Sequence, residues 1–211
     1  MRELLPRLAI PPPSPEHGAI DPAGLFDFPV REIWLEIGFG GGEHLAAQAA
    51  AHPRVGLLGC EPYVNGVAKL LARIADRGLR NVRIYPDDAR DLLDRLPDAS
   101  LGRVFVLFPD PWPKARHHRR RIVSTETLAS LGRVMRDGAE LRLATDHAEY
   151  GRWMLAHLER ESAFEWLARR PGDWRRRTGD WPATRYEVKA SGQGRACLYL
   201  RYRRRRRTEK P

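Results

Sequence analysis

The stretch Ile33-Trp34-Leu35-Glu36-Ile37-Gly38-Phe39-Gly40-Gly41-Gly42-Glu43 decides the fold. Residues 33–37 form a short apolar run, long enough for a buried strand and too short for a buried helix. Glycines at 38, 40 and 42 then make a turn, and the alanine-rich segment 43–51 favours a helix. The reading is strand, glycine turn, helix. Glycine spacing chooses between two kinds of nucleotide site. A dinucleotide fingerprint G-x-G-x-x-G starting at Gly38 requires glycine at 43, where the chain has Glu43. An acidic side chain there suits a pyrophosphate badly, whereas a ligand without phosphates needs only close approach to the backbone. S-adenosylmethionine is a ligand of that kind.

The pattern repeats outward from this turn. Residues 55–60 read as a second strand ending in Glu61, and the helix after it places Val64, Val67, Ala68, Leu71, Ile74 and Ala75 on its apolar stripe and stops at Gly78. Residues 82–85 are a third strand, followed by Asp87-Asp88 and a short helix. Residues 104–108 are a fourth strand. Ser124 opens a further helix, and residues 140–144 form a fifth strand leading to Asp146, which also suits the N-cap of the next helix. Alternating strands and helices of this length predict an α/β fold with a doubly wound, mostly parallel sheet. Beyond residue 160 the alternation stops. Residues 164–168 and 196–202 read as strands around a loop at 171–182 that holds Trp174, Arg175-Arg176-Arg177 and Trp181, so the chain should end in an antiparallel pair at the sheet edge.

Seven of the 17 prolines fall in residues 1–30, which therefore read as an irregular lead-in. Residues 31–202 are the folded domain, and residues 203–211 a basic tail whose run Arg203 to Arg207 is expected to be disordered when nothing is bound. No apolar run reaches the ~20 residues needed to span a bilayer, and the N-terminus has no unbroken hydrophobic region of a signal peptide. A cytoplasmic protein is expected. Cys60 and Cys197 have neither metal-binding nor redox spacing. The net charge of +10 points to a polyanionic partner, with nucleic acid the first candidate and an anionic membrane surface the weaker one.

The chemistry should lie along one edge of the sheet. Glu36, Glu61, Asp88, Asp110 and Asp146 each lie at the predicted C-terminal end of a successive strand, and in an open α/β sheet ligands bind at that edge. A carboxylate after the second strand suits a ribose diol, which makes Glu61 the candidate for that contact. Asp88 can accept from an adenine amino group, and Glu36 can stay ionised beside the ammonium or sulfonium of a methionine moiety. Asp110 stands in Phe108-Pro109-Asp110-Pro111-Trp112-Pro113-Lys114, where three prolines stiffen a loop just past a strand, followed by the basic run Arg116-His117-His118-Arg119-Arg120-Arg121.

These residues carry a resemblance. Residues 36–40, Glu61, Asp88-Ala89, the motif at 108–121, Ala144-Thr145-Asp146 and Thr184-Arg185-Tyr186-Glu187 resemble the bacterial tRNA (guanine-N7-)-methyltransferase family over roughly residues 30–202. The resemblance implies a Rossmann-like, S-adenosylmethionine-dependent methyltransferase domain at 31–202 that modifies the variable-loop guanine of tRNA. It implies that Glu36, Gly38, Gly40, Glu61, Asp88 and Asp110 bind S-adenosylmethionine, with Asp110 also catalytic. It implies that Lys114, Asp146, Thr184, Arg185, Tyr186 and Glu187 hold the tRNA substrate and that Arg116, His117, His118, Arg119, Arg120 and Arg121 contact RNA. No metal and no obligate protein partner are expected. The family also leads us to expect a basic segment ahead of the first strand, where residues 1–30 carry prolines instead.

The residue types suit that reaction. Guanine N7 has a lone pair and no proton, so its methylation needs alignment and stabilisation of positive charge rather than a general base. Asp110 suits that charge, Lys114 or Arg185 can orient the base through O6, and Glu187 can accept from its N1–H and N2–H edge. Trp112 or Tyr186 can stack on an exposed base. Three other readings compete: methyl transfer to another RNA guanine, a non-catalytic RNA-binding protein, and a nicotinamide-dependent oxidoreductase, against which Glu43 and the charge both count.

Overall fold

A computed structural model describes residues 4–12, 18–180 and 182–207. In chain order its elements are α1 (Leu4–Leu8), β1 (Glu32–Ile37), α2 (Glu43–Ala51), β2 (Val55–Cys60), α3 (Val64–Arg77), β3 (Val82–Tyr85), α4 (Ala89–Arg95), β4 (Leu101–Leu107), a 3-10 helix (Ala115–Arg120), α5 (Thr125–Val134), β5 (Met135–Thr145), α6 (Ala148–Arg160), β6 (Phe164–Trp166), α7 (Gly172–Arg175), α8 (Arg185–Gly192) and β7 (Leu198–Arg204). The strands form one sheet in the order β3-β2-β1-β4-β5-β7-β6. β1 to β5 pair in parallel, whereas β7 runs antiparallel to both β5 and β6. This is the doubly wound sheet with an antiparallel C-terminal edge that the chain's alternation predicts.

Side chains alternate across the pleat, so each strand feeds both faces. Leu35, Leu58, Val104 and Leu141 pack with Leu92, Leu131 and Met154 on one face. Trp34, Leu57 and Phe105 pack with Leu45, Leu70 and Ile74 on the other. Register sets the site: Ile37 lies opposite Cys60 on one side and Val106 on the other, so the turns after β1, β2 and β4 leave the sheet at one edge.

Several expectations are corrected. The lead-in is not wholly irregular: α1 forms, and Ala9 makes a parallel bridge to Ile84 at the β3 edge. Pro13 and Pro15 lie outside the described residues, as do Trp181 and residues 208–211. Val64 and Ala75 are exposed on α3, and Leu70 is buried instead. β5 starts at Met135 and runs through Gly138, whose φ of 81° accommodates the chain where residues with a Cβ would be strained. The α6 N-cap is His147, whose Nδ1 accepts from the Tyr150 N–H; Asp146 pairs with Arg195 at 2.8 Å. Arg203 and Arg204 belong to β7 rather than to a disordered tail. Arg207 donates to the carbonyls of Gly132, Arg133 and Met135.

Candidate active site

The glycine turn is shaped for something to lie against it. Gly38, Gly40 and Gly42 have φ of 72°, 55° and 73°, a left-handed region that side chains strain to adopt. A Cβ on Gly38 would meet nothing within 4 Å, so conformation alone requires glycine there and the space beside it is open. A Cβ on Gly66 would stand 2.4 Å from the Gly40 carbonyl oxygen; that glycine lets α3 press against the turn. Arg73 of α3 donates from Nε to the Gly41 carbonyl at 2.9 Å and pairs with Glu43 at 2.9 Å. Glu43 therefore fixes the turn to α3, a role its sequence position did not suggest.

Glu61 closes the turn from the β2 side. Its Oε2 accepts from the Gly40 N–H at 2.7 Å and its Oε1 from the Tyr63 N–H at 3.0 Å. Each oxygen keeps a further lone pair for a hydroxyl donor. Asp88 caps α4 by accepting from the Arg90 N–H at 3.0 Å and pairs with the Arg90 guanidinium at 2.7 Å. Asp110 follows β4 in an exposed position, and no described residue hydrogen-bonds its carboxylate. Its loop is bracketed by two residues in the left-handed region, Phe108 at φ 52° and Trp112 at φ 41°. Such backbone costs of order 1–3 kcal/mol each and persists only where surrounding structure enforces it.

The far wall comes from α8. Thr184 is its N-cap, with Oγ1 accepting from the Glu187 N–H at 3.2 Å. The next two side chains, Arg185 and Tyr186, reach the glycine turn. Tyr186 stacks on Phe108 with ring centroids 6.3 Å apart, and its hydroxyl, which accepts from Arg185 at 2.9 Å, would stand 3.1 Å from a Cβ on Gly40. Nearby Glu43 and Glu61 add to that hydrogen bond in holding the Arg185 guanidinium fully charged.

The result is a cleft of about 740 Å³ lined by Gly38, Gly40, Glu61, Asp88, Asp110, Trp112, Arg119, Arg120, Arg185 and Tyr186 among others. Arg120 lies over the Trp112 ring at 4.9 Å. Other expected residues stand elsewhere. Glu36 is 2% exposed and its carboxylate accepts from His44 Nδ1–H at 2.7 Å, so it faces α2 instead of the cleft. Glu187 pairs with Arg177 at 3.1 Å. Lys114 and Asp146 do not line the cleft; Lys114 is exposed at the N-cap position of the 3-10 helix without a side-chain capping bond, and Asp146 holds Arg195. Arg116 is exposed, His117 packs edge-on to Trp112, and His118 packs against Trp153. Arg121 departs furthest from the expected RNA contact, because it is 0% exposed. Arg90, Tyr63 and Ile122 line the cleft without having been singled out, since nothing in their spacing distinguishes them from cap, surface and core residues.

Among the described residues no helix is long and apolar enough to cross a membrane. A family model described as "Putative methyltransferase" matches residues 30–200. The chain is 52% identical over 209 residues to a tRNA (guanine-N(7)-)-methyltransferase of Rhodospirillum rubrum, covering 99% of this chain and 82% of that one. It is 57% identical over 174 residues to the protein of that name from Ruegeria pomeroyi, covering 82% and 73%. Among solved structures it resembles the 16S rRNA methyltransferase KamB with a TM-score of 0.60 at 18% identity, over 83% of this chain and 89% of that one, a likeness of fold. With a Rossmann-like methyltransferase sheet, a cleft at its C-terminal edge and these relatives, the chain belongs to the bacterial tRNA (guanine-N7-)-methyltransferase family.

Proposed function

We propose that the chain transfers a methyl group from S-adenosylmethionine to N7 of the variable-loop guanine of tRNA, in the cytoplasm and without an obligate protein partner. The observation that carries this reading is one cleft in which Glu61, Asp88 and Asp110 meet Arg119, Arg120 and Arg185. Carboxylates suit a cationic nucleoside and the arginines suit an RNA strand. S-adenosylmethionine supplies, when bound, a methyl group made electrophilic by its sulfonium.

The residues present fit that group. The open space at Gly38 admits it against the backbone, and the spare lone pairs of Glu61 can accept from a ribose diol. Asp88 keeps acceptor capacity beside Arg90 for an exocyclic amine. Glu36 is not among the proposed direct contacts, since it is engaged by His44. Asp110 is the proposed catalytic residue. Methylation at N7 would place positive charge on the guanine ring, and the fixed Asp110 carboxylate would lower its energy. No proton has to leave. Arg185 and Tyr186 orient the base, and Arg116, His117, Arg119 and Arg120 meet phosphates, giving affinity rather than choice of guanine. Thr184 and Glu187 contribute by holding α8 in place, and Lys114 and Asp146, which do not line the cleft, are left to the rest of the tRNA.

The test incubates the purified chain with labelled S-adenosylmethionine and unmodified tRNA transcripts, then cleaves chemically at N7-methylguanosine. A single cleavage in the variable loop is the expected outcome. Transfer to another position refutes the substrate, and tRNA binding without any transfer refutes the activity.

A further inference from the structure

We infer that Arg121 is a positioning residue that clamps the Asp110 loop to α6, and that it does not contact RNA. The sequence places it last in a run of basic residues, yet its side chain is wholly buried while Arg116, Arg119 and Arg120 are exposed. Its Nε donates to the Pro111 carbonyl at 2.9 Å and its Nη2 to the Trp112 carbonyl at 3.4 Å. The other edge of the same guanidinium makes a bidentate pair with Glu149 of α6, at 3.1 and 2.6 Å. Its plane lies over the rings of Tyr150 at 5.0 Å and Trp153 at 4.6 Å.

Both carbonyls belong to the two residues that follow Asp110, and one of them is Trp112, held at φ 41°. Pro111 has no N–H and Pro113 likewise, so this loop has few donors with which to secure itself. A planar fork of five donors can hold two carbonyls and a carboxylate at once. The strand of contacts continues: Arg90, which pairs with Asp88, donates to the Arg121 carbonyl at 3.2 Å, and Trp153 Nε1 donates to the Val123 carbonyl at 2.7 Å. The carboxylates proposed for the nucleoside and for the reaction are thus tied to one frame, with α6 as its anchor. Hydrogen bonds from Arg121 hold the Glu149 carboxyl below its usual range, which keeps the pair charged.

This inference rests on the reading of Asp110 as catalytic, and its test separates the two. Arg121→Lys keeps the buried charge beside Glu149 but cannot span both carbonyls; Glu149→Gln keeps the shape and loosens the other edge. For both, single-turnover methyl transfer at saturating tRNA, tRNA affinity across a salt series, and hydrogen exchange at the hydrogen-bonded amides that flank the loop, those of Phe108, His117 and residue 121, are measured beside the unaltered chain. The expected result is a rate lowered by roughly 100-fold, the effect of misplacing a reacting group by about an ångström. The flanking amides exchange faster, while affinity and its salt slope stay the same. A normal rate with weaker binding and a salt slope reduced by about 1 identifies a phosphate contact and overturns the clamp. Unchanged exchange overturns it as well, whatever the rate. Should Asp110→Asn keep its full rate, the catalytic reading fails and the exchange measurement alone decides the clamp.

Discussion

Gly38 and Asp110 are the two positions where a single atom decides most. At Gly38 the backbone is left-handed and the neighbouring space is open, so Gly38→Ala meets no protein atom but pays about 1 kcal/mol for φ and places a methyl group in the cleft. We expect a modest drop in thermal midpoint and a larger one in S-adenosylmethionine affinity, measured by calorimetry on the same preparation. At Asp110 no described residue depends on the carboxylate, so Asp110→Ala should leave folding and tRNA binding intact. Its expected loss is in turnover, by 100-fold or more, of the order seen when one preorganised electrostatic contact to a developing charge is removed. Near-normal turnover would end the catalytic assignment.

At the scale of elements, the basic end of the chain changes meaning. Arg204 donates to the Gly132 carbonyl at 2.7 Å, and Arg207 to the carbonyls of Gly132, Arg133 and Met135. These groups stand at the C-terminal end of α5, where carbonyls lack helical partners and the helix dipole favours cations. Arg207 also pairs with Asp137, whose carboxyl is held below its usual range by the Arg207 N–H and guanidinium. Arg207→Ala should therefore cost about 1 kcal/mol, a thermal midpoint lower by about 2–4 °C, with little change in the salt dependence of tRNA binding. A flatter salt dependence at unchanged stability would return Arg207 to the RNA-binding surface. The Thr184 cap of α8 follows the same logic: a sequence motif that looks like a substrate contact contains a helix start.

For the whole molecule the relevant balance is between a net charge of +10 and carboxylates embedded among arginines. Burial alone would raise the Glu140 and Asp180 carboxyls, but hydrogen bonds from Arg142 reverse this and hold both below their usual range. Glu149 is lowered by Arg121. A carboxyl whose folded pKa is depressed stabilises the fold above its ordinary pKa and loses that contribution as pH falls. The urea midpoint should thus decline progressively below about pH 5. Asp180→Asn should make that acid limb shallower, since Asp180 joins Arg142 at 2.7 Å across the sheet face. An acid limb of unchanged slope would mean that other carboxylates carry the effect.

The order of strands and helices through residue 160, the parallel sheet and the edge that carries the site follow from local pattern: apolar runs of strand length, glycine turns and helical stripes act over a few residues, where sequence neighbours are spatial neighbours. Glu61, Asp88 and Asp110 were legible for that reason, each following a strand of one parallel sheet. What tertiary structure decided is the direction of individual side chains. Glu36 is the penultimate residue of β1 and Glu61 the first after the adjacent β2, yet Glu36 meets His44 while Glu61 meets the glycine turn. Arg120 and Arg121 are consecutive, yet one lines the cleft and the other is buried against Glu149. A charged residue's role depends on which distant partner reaches it first, Glu149 being 28 residues from Arg121 and Asp137 70 from Arg207. Residue type and spacing determine what such a side chain can do; only the packing of remote elements determines what it does.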